Sequence, residues 1–540
     1  MFRVSKAKFC LAVAALALAI ITGSLSAHAQ DITQDSIKIL QAQIDALQKQ
    51  LEEVKAAQAT AAAKAAAAAP APAAPSKEAA ATPGERGTFE VGHTKVTVGG
   101  FMEAAGIYRN HNETADVGSS FNTLLPFGLT TTGTGTTASK LKNTLNVNSR
   151  QSEVRGTARQ SRITALAEAK ANENTKISAY IEADFLGAGQ TANSNESNSY
   201  NPRMRVIYGT VDMSDCGLHV LAGQEWSLLT TDRVGIIPRQ ENIPLTIDAQ
   251  YVPGFNWTRN AQLRVVQDFD DQKIWLGLSV ESPQAILSGI TAPSFVSATN
   301  SASGGLFNSA NSYSTDIAPD VIAKAAFDPG YGHYEAFGIT RFFHDYVTTA
   351  TGAPAGVTVA LGSHDAVGFG GGAAAILPIC PEKLDFQANF MAGQGIGRYG
   401  SCQLPDFAFT PNGDIKLLTG YTAMLGVVGH PEPTWDLYAY GGYEGVERAN
   451  YAQTEAGVTV DNFGYGSFNL LTGQEQTSNV WQITAGVWKR LFQGPWGKVQ
   501  IGLQDSVTRR DGFSNNESNG GVAQRTYENI IMTSFRYYPL

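Results

Sequence analysis

Beyond residue 22 the 540-residue chain has no apolar run of about 18 residues, the length needed to cross a bilayer as a helix. That excludes an inner-membrane helical protein. Cysteine is scarce, four residues in all, and Cys10, Cys216, Cys380 and Cys402 have no metal-ligand spacing. No metal or cofactor is expected. Basic residues are outnumbered 39 to 48, which argues against nucleic acid as a partner. Gly371 and Gly372 are followed by no Lys-Ser/Thr pair, so there is no phosphate loop.

Arg3, Lys6 and Lys8 precede an apolar run from Phe9 to Thr22 and then Ala27-His28-Ala29. This reads as a signal peptide, residues 1–29, and directs the chain to the cell envelope. Without it the balance becomes 36 basic to 48 acidic residues, and Cys10 is lost, leaving an odd number of cysteines in an oxidising compartment. Cys380 falls in a short break and Cys402 in a long polar stretch, a placement that argues against pairing them.

Residues 30–56 carry Ile37, Leu40, Ile44, Leu47, Leu51 and Val54 at alternating spacings of three and four, an a/d seam of nearly three heptads. A short coiled-coil helix is expected, in preference to a lone amphipathic helix. Its flanking positions Gln41, Gln43, Gln48 and Gln50 are uncharged and leave the number of strands in the coil open. Residues 57–93 then turn rich in alanine and proline, with Pro70, Pro72, Pro75 and Pro83, as in a semi-rigid spacer.

From residue 94 to 540 the pattern has period two. Ile163, Ala165, Ala167 and Ala169 alternate with Arg162, Thr164, Glu168 and Lys170; after a polar break, Ile177, Ala179, Ile181, Ala183 and Phe185 alternate with Lys176, Ser178, Tyr180, Glu182 and Asp184. Strands of this kind that face lipid must close into a barrel to pair their backbone groups. Short breaks at 171–175, 213–217, 268–272, 328–332, 378–383, 430–434 and 493–497 separate long polar stretches at 109–160, 186–202, 225–260, 282–320, 344–363, 395–416, 445–479 and 509–526. Seven turns and eight loops join sixteen antiparallel strands, with both chain ends on the turn side. The expected fold is an all-β transmembrane barrel preceded by a periplasmic coiled-coil helix. Sixteen strands leave a water-filled bore.

The order of heptads, Ala/Pro spacer and barrel resembles the DcaP-like trimeric outer-membrane porins. So do the runs Ser178–Asp184, Leu221–Ser227, Thr315–Asp320, Gly395–Gly400 and Ser534–Pro539. The resemblance implies a homotrimer in the outer membrane of a Gram-negative bacterium, embedded in outer-membrane lipid, that takes up small anions, dicarboxylates in particular. The chain ends in Leu540, where such barrels usually end in Phe.

Alternation aims Arg162, Lys176, Arg203, Arg205, Arg264 and Lys324 at the lumen, and the third long loop adds Arg233 and Arg239 around the apolar run Gly235–Pro238. That loop is expected to fold into the bore. Arg203 and Arg205, about 7 Å apart at the usual strand rise, would suit a short dicarboxylate, since a guanidinium holds a carboxylate through two hydrogen bonds. The plainer role for such residues is pairing with Glu168, Glu182, Asp184 or Glu225 to keep the wall polar.

Two other functions compete. A structural spacer would act through its coiled coil on peptidoglycan or a partner, but an anchor needs only eight strands. A sugar porin would need an aromatic track, and Tyr180, Trp275, Tyr438, Tyr440 and Trp488 are scattered. His364-Asp365, His344-Asp345 and His333 with Glu335 have no nucleophile at a telling distance, so no enzyme is expected.

Overall fold

The computed structural model describes residues 87–132, 142–187, 201–288, 290, 292–297, 299–300, 313–351, 353, 356–455, 458–466, 468–469, 474–513 and 524–539. The signal, the heptad seam and most of the spacer lie outside them. Among the described residues no helix is long and apolar enough to cross a membrane.

Sixteen antiparallel strands close into a barrel. They are β1 (Thr94–Arg109), β2 (Arg162–Asn172), β3 (Thr175–Gly187), β4 (Asn201–Met213), β5 (Leu218–Trp226), β6 (Arg259–Phe269), β7 (Ile274–Glu281), β8 (Asp320–Phe327), β9 (His333–Val347), β10 (Gly362–Cys380), β11 (Leu384–Gln394), β12 (Thr419–Gly429), β13 (Trp435–Val446), β14 (Thr477–Gly494), β15 (Gly497–Gly512) and β16 (Arg525–Tyr538). Closure is made by β16 against β1, where Met102 opposes Tyr537 and Arg109 opposes Ile530. Three short strands extend this sheet: Thr88–Val91 on β1, Glu153–Thr157 on β1, and Val296–Ser297 on β9. The first lies in the stretch that composition assigns to the spacer.

Every short break is a turn between sequential strands and every long stretch a loop. Outward positions such as Ile163, Ile177, Ile207, Leu276 and Leu425 are exposed, whereas the intervening Ser178, Glu182 and Tyr208 are buried. The apolar ring thus faces outward.

β1 alternates poorly because it bends. Gly100 has φ +129°, and a Cβ there would sit 2.1 Å from the carbonyl oxygen of Arg162, so only glycine admits the approach of β2. At this bend β1 passes from β2 to the Glu153–Thr157 strand.

Candidate functional site

Residues 227–258, between β5 and β6, pack within the barrel. Leu228, Leu229 and Ile236 lie with Val266, Trp275, Ile322, Phe337 and Met391 of the wall. Ile247, Tyr251, Val252 and Phe255 lie with Val206, Tyr208, Trp226, Met424, Tyr438, Tyr440 and Trp488. The wall beneath the loop is therefore apolar on its inner face, contrary to plain alternation of greasy outside and polar inside.

Polar bonds hold the loop on both sides of the bore. The N–H of Asp232 donates to Glu335 Oε1 at 2.9 Å, and Lys324 Nζ donates to the carbonyl of Thr230 at 2.8 Å. Farther along, Asn242 donates to Gln387 at 3.0 Å, the N–H of Leu245 to the Tyr440 hydroxyl at 3.3 Å, and the N–H of Ile247 to Gln504 at 2.6 Å. Of the scattered aromatics that a sugar porin would have needed as a track, two serve as anchors: Trp275 packs with Ile236, and Trp488 donates to the carbonyl of Leu245 at 2.8 Å.

Between this loop and strands β2 to β5 lies a cavity of about 280 Å³ whose lining includes Arg162, Arg205, Arg239, Arg536, Glu182, Glu225, Glu241, Asp248 and Tyr251. Three of the eight predicted cations meet there. The others do not. Arg203 lies outside the lining and pairs with Asp184 through two bonds, 3.0 and 2.7 Å. Arg264 is buried in bonds to Gln262 and the carbonyl of Trp226. Lys324 is buried between Asp232 and Glu335 at 2.9 and 2.7 Å, and so holds the loop to the wall. Lys176 sits beside the β2–β3 turn, bonded to Glu168 at 3.0 Å, and belongs to that mouth of the bore. Arg233 is exposed on the loop, away from the cavity.

The span between Arg203 and Arg205 is also filled. Arg205 bonds Glu182 at 2.5 Å and Asp184 Oδ2 at 3.1 Å, and Arg203 bonds the same Asp184 oxygen at 2.7 Å. The chain supplies both carboxylates that a dicarboxylate was expected to bring.

A bulge places Arg205. Glu182 opposes Val206 while Ala183 opposes Met204, so Arg205 is the extra residue. As a result both Arg205 and Val206 are buried, with Met204 and Ile207 exposed to either side. Plain alternation from Arg203 and Arg205 would turn Val206 outward, and the bulge turns it inward.

Partners are unevenly distributed around the cavity. Glu182 accepts from Arg205 and the Tyr180 hydroxyl, Asp248 accepts from the N–H groups of Ser119 and Gln250, and Arg536 bonds Glu103 and Gln160. Arg162 lies 3.4 Å from Glu182 and over the ring of Phe101, its Nε buried without a hydrogen-bond partner, and Arg239 bonds the Tyr208 hydroxyl at 3.0 Å. Glu225 is 1% exposed and its Oε2 has no partner. Burial pushes the Glu241 carboxyl up, and Asp248 likewise. Tyr251, whose phenol burial alone would raise, is instead lowered by Arg205, Arg259 and Arg162 around it. Arg259, Arg536, Tyr251 and Trp226 were not singled out from the sequence. Arg536 comes from the far end of the chain and reaches the cavity only through closure of β16 on β1.

The histidines are held by carboxylates: His333 bridges Asp328 and Glu335, and His344 meets Asp365 at 2.6 Å. Among the described residues no three His, Cys, Asp or Glu side chains are arranged to hold a metal. Cys380 and Cys402 are unpaired thiols.

No protein-family model and no curated protein matches the sequence. Among solved structures the chain is similar to the outer membrane channel DcaP of Acinetobacter baumannii, with a TM-score of 0.54 and 15% identity, over 83% of this chain and 99% of that one. The chain has the DcaP fold. It is also similar, at a TM-score of 0.43 and 10% identity over 82% of this chain and 99% of the other, to an anion-selective porin from Comamonas acidovorans.

Proposed function

We propose that the barrel is an outer-membrane diffusion channel for small anionic solutes, dicarboxylates among them, with the loop of residues 227–258 as its constriction. The carrying observation is that Arg162 and Arg239 line the cavity with donors to spare, whereas two of its four carboxylates, Glu182 and Asp248, are already engaged. A guanidinium in that state attracts a carboxylate and keeps its charge at any working pH.

The barrel is read as a homotrimer in outer-membrane lipid, and Ile37, Leu40, Ile44, Leu47, Leu51 and Val54 as the core of a periplasmic coiled coil that joins its copies, near peptidoglycan. A sixteen-strand wall favours a channel over a mere anchor or an enzyme. The test is the reversal potential of the purified protein in a planar bilayer under a KCl gradient. Anion preference that falls in Arg162→Ala/Arg239→Ala supports the reading. Cation preference sinks it, and no conductance favours a structural spacer.

A further inference from the structure

Glu225 has no use in a purely anionic path. It lies on β5 and lines the 280 Å³ cavity; its Oε1 accepts from the N–H of Trp226 at 2.9 Å, and its Oε2 is buried without a partner. A carboxylate oxygen kept from water without a donor is costly unless something arrives to bond it. Glu241, on the loop, lines the same cavity beside Glu225, and its Oε1 accepts the N–H of Arg239 at 3.1 Å.

We propose that this cavity takes a dipolar solute, its carboxylate held by Arg162 and Arg239 and its ammonium by Glu225 and Glu241. The proposal rests on the channel reading above but replaces dicarboxylates, at this cavity, with solutes that carry one carboxylate and one ammonium. An ammonium carries three donors and no acceptor, which is what two neighbouring carboxyl groups short of donors require. Side by side and out of water, two carboxyls retain a proton between them; the ammonium takes that proton's place and the proton leaves to solvent. Burial raises the Glu241 carboxyl, in keeping with such a shared proton. A dicarboxylate of the same length would set its second carboxylate against Glu225, so the site discriminates by repulsion as well as by attraction. A cavity of about 280 Å³ matches a solute of a few carbons.

The experiment compares block of single-channel current by 4-aminobutyrate and by glutarate, which share three methylenes and one carboxylate and differ at the other end. In the wild-type channel 4-aminobutyrate is expected to block at about tenfold lower concentration. Glu225→Gln is expected to abolish that advantage and to strengthen glutarate; Glu241→Gln, on the loop, reads the same change without altering a strand. Equal block by both compounds, unchanged in either variant, overturns the dipolar site and leaves the channel standing. A folded barrel without conductance overturns both.

Discussion

The indole of Trp488 donates a 2.8 Å hydrogen bond to the carbonyl of Leu245, 243 residues away along the chain. The bond fixes the constriction loop to β14. Trp488→Ala removes this anchor and a ring buried among Tyr438, Ile247 and Val252. A core Trp→Ala change costs about 3–5 kcal/mol, so the expected outcome is a lower melting temperature in detergent and a wider, noisier channel. Unchanged single-channel conductance would show that the loop does not set the bore.

Arg162→Ala and Arg239→Ala are each expected to lower the chloride-to-potassium permeability ratio by a factor of about two to three, the effect of one charge at a partly screened site. The shift should shrink at 1 M salt. Arg264→Ala should leave the ratio nearly unchanged, because that guanidinium is spent on Gln262 and Trp226.

Asp184 holds both Arg203 and Arg205. Asp184→Ala leaves buried Arg205 short of a partner and is expected to cost about 3–5 kcal/mol, as for one-sided loss of a buried pair. It also releases Arg203, so the surviving channel should prefer anions more strongly than the wild type. A fall in anion preference would count against the role given to these guanidiniums.

Acidity should tighten the loop. Burial raises the Asp232 carboxyl to about 7; Lys324 opposes the rise, and Glu335 and Glu241 add to it. A carboxyl raised in the folded state contributes stability that is present below its ordinary value of 3.8 and lost as pH climbs toward 7. Thermal unfolding should therefore occur at higher temperature near pH 5 than near pH 8. Asp232→Asn, which still accepts from Lys324, should flatten that difference.

Turns, loops and strand number were legible because lipid on one side and water on the other enforce period two, so Ile163 and Ile177 could be placed by counting. The inward apolar residues Val266, Met391 and Met424 could not, since their partner is a loop arriving from elsewhere in the chain. The same holds for the site. Arg162, Arg205 and Arg239 were found by charge and facing. Lys324 and Arg264 satisfied the same rule, yet Lys324 is taken up by the loop's Thr230 carbonyl and Asp232, and Arg264 by the Trp226 carbonyl where β5 enters the loop, neither of which alternation encodes. Glu225 passed for a counter-charge until its bare Oε2 was seen.

The extra residue in β4 acts on the strand as a frameshift acts on a message. Side-chain facing is a two-letter code, in or out, and every position is read by its distance from a known one. Counting inward from Tyr208 gives Val206 and then, wrongly, Met204; counting from Arg203 gives Arg205 and then, wrongly, Ile207. Both counts are right only up to the bulge. Deleting Arg205 would restore a single frame and leave Arg203, Val206 and Tyr208 facing as they do, so what the insertion adds is one guanidinium at the level of an apolar side chain that meets the loop.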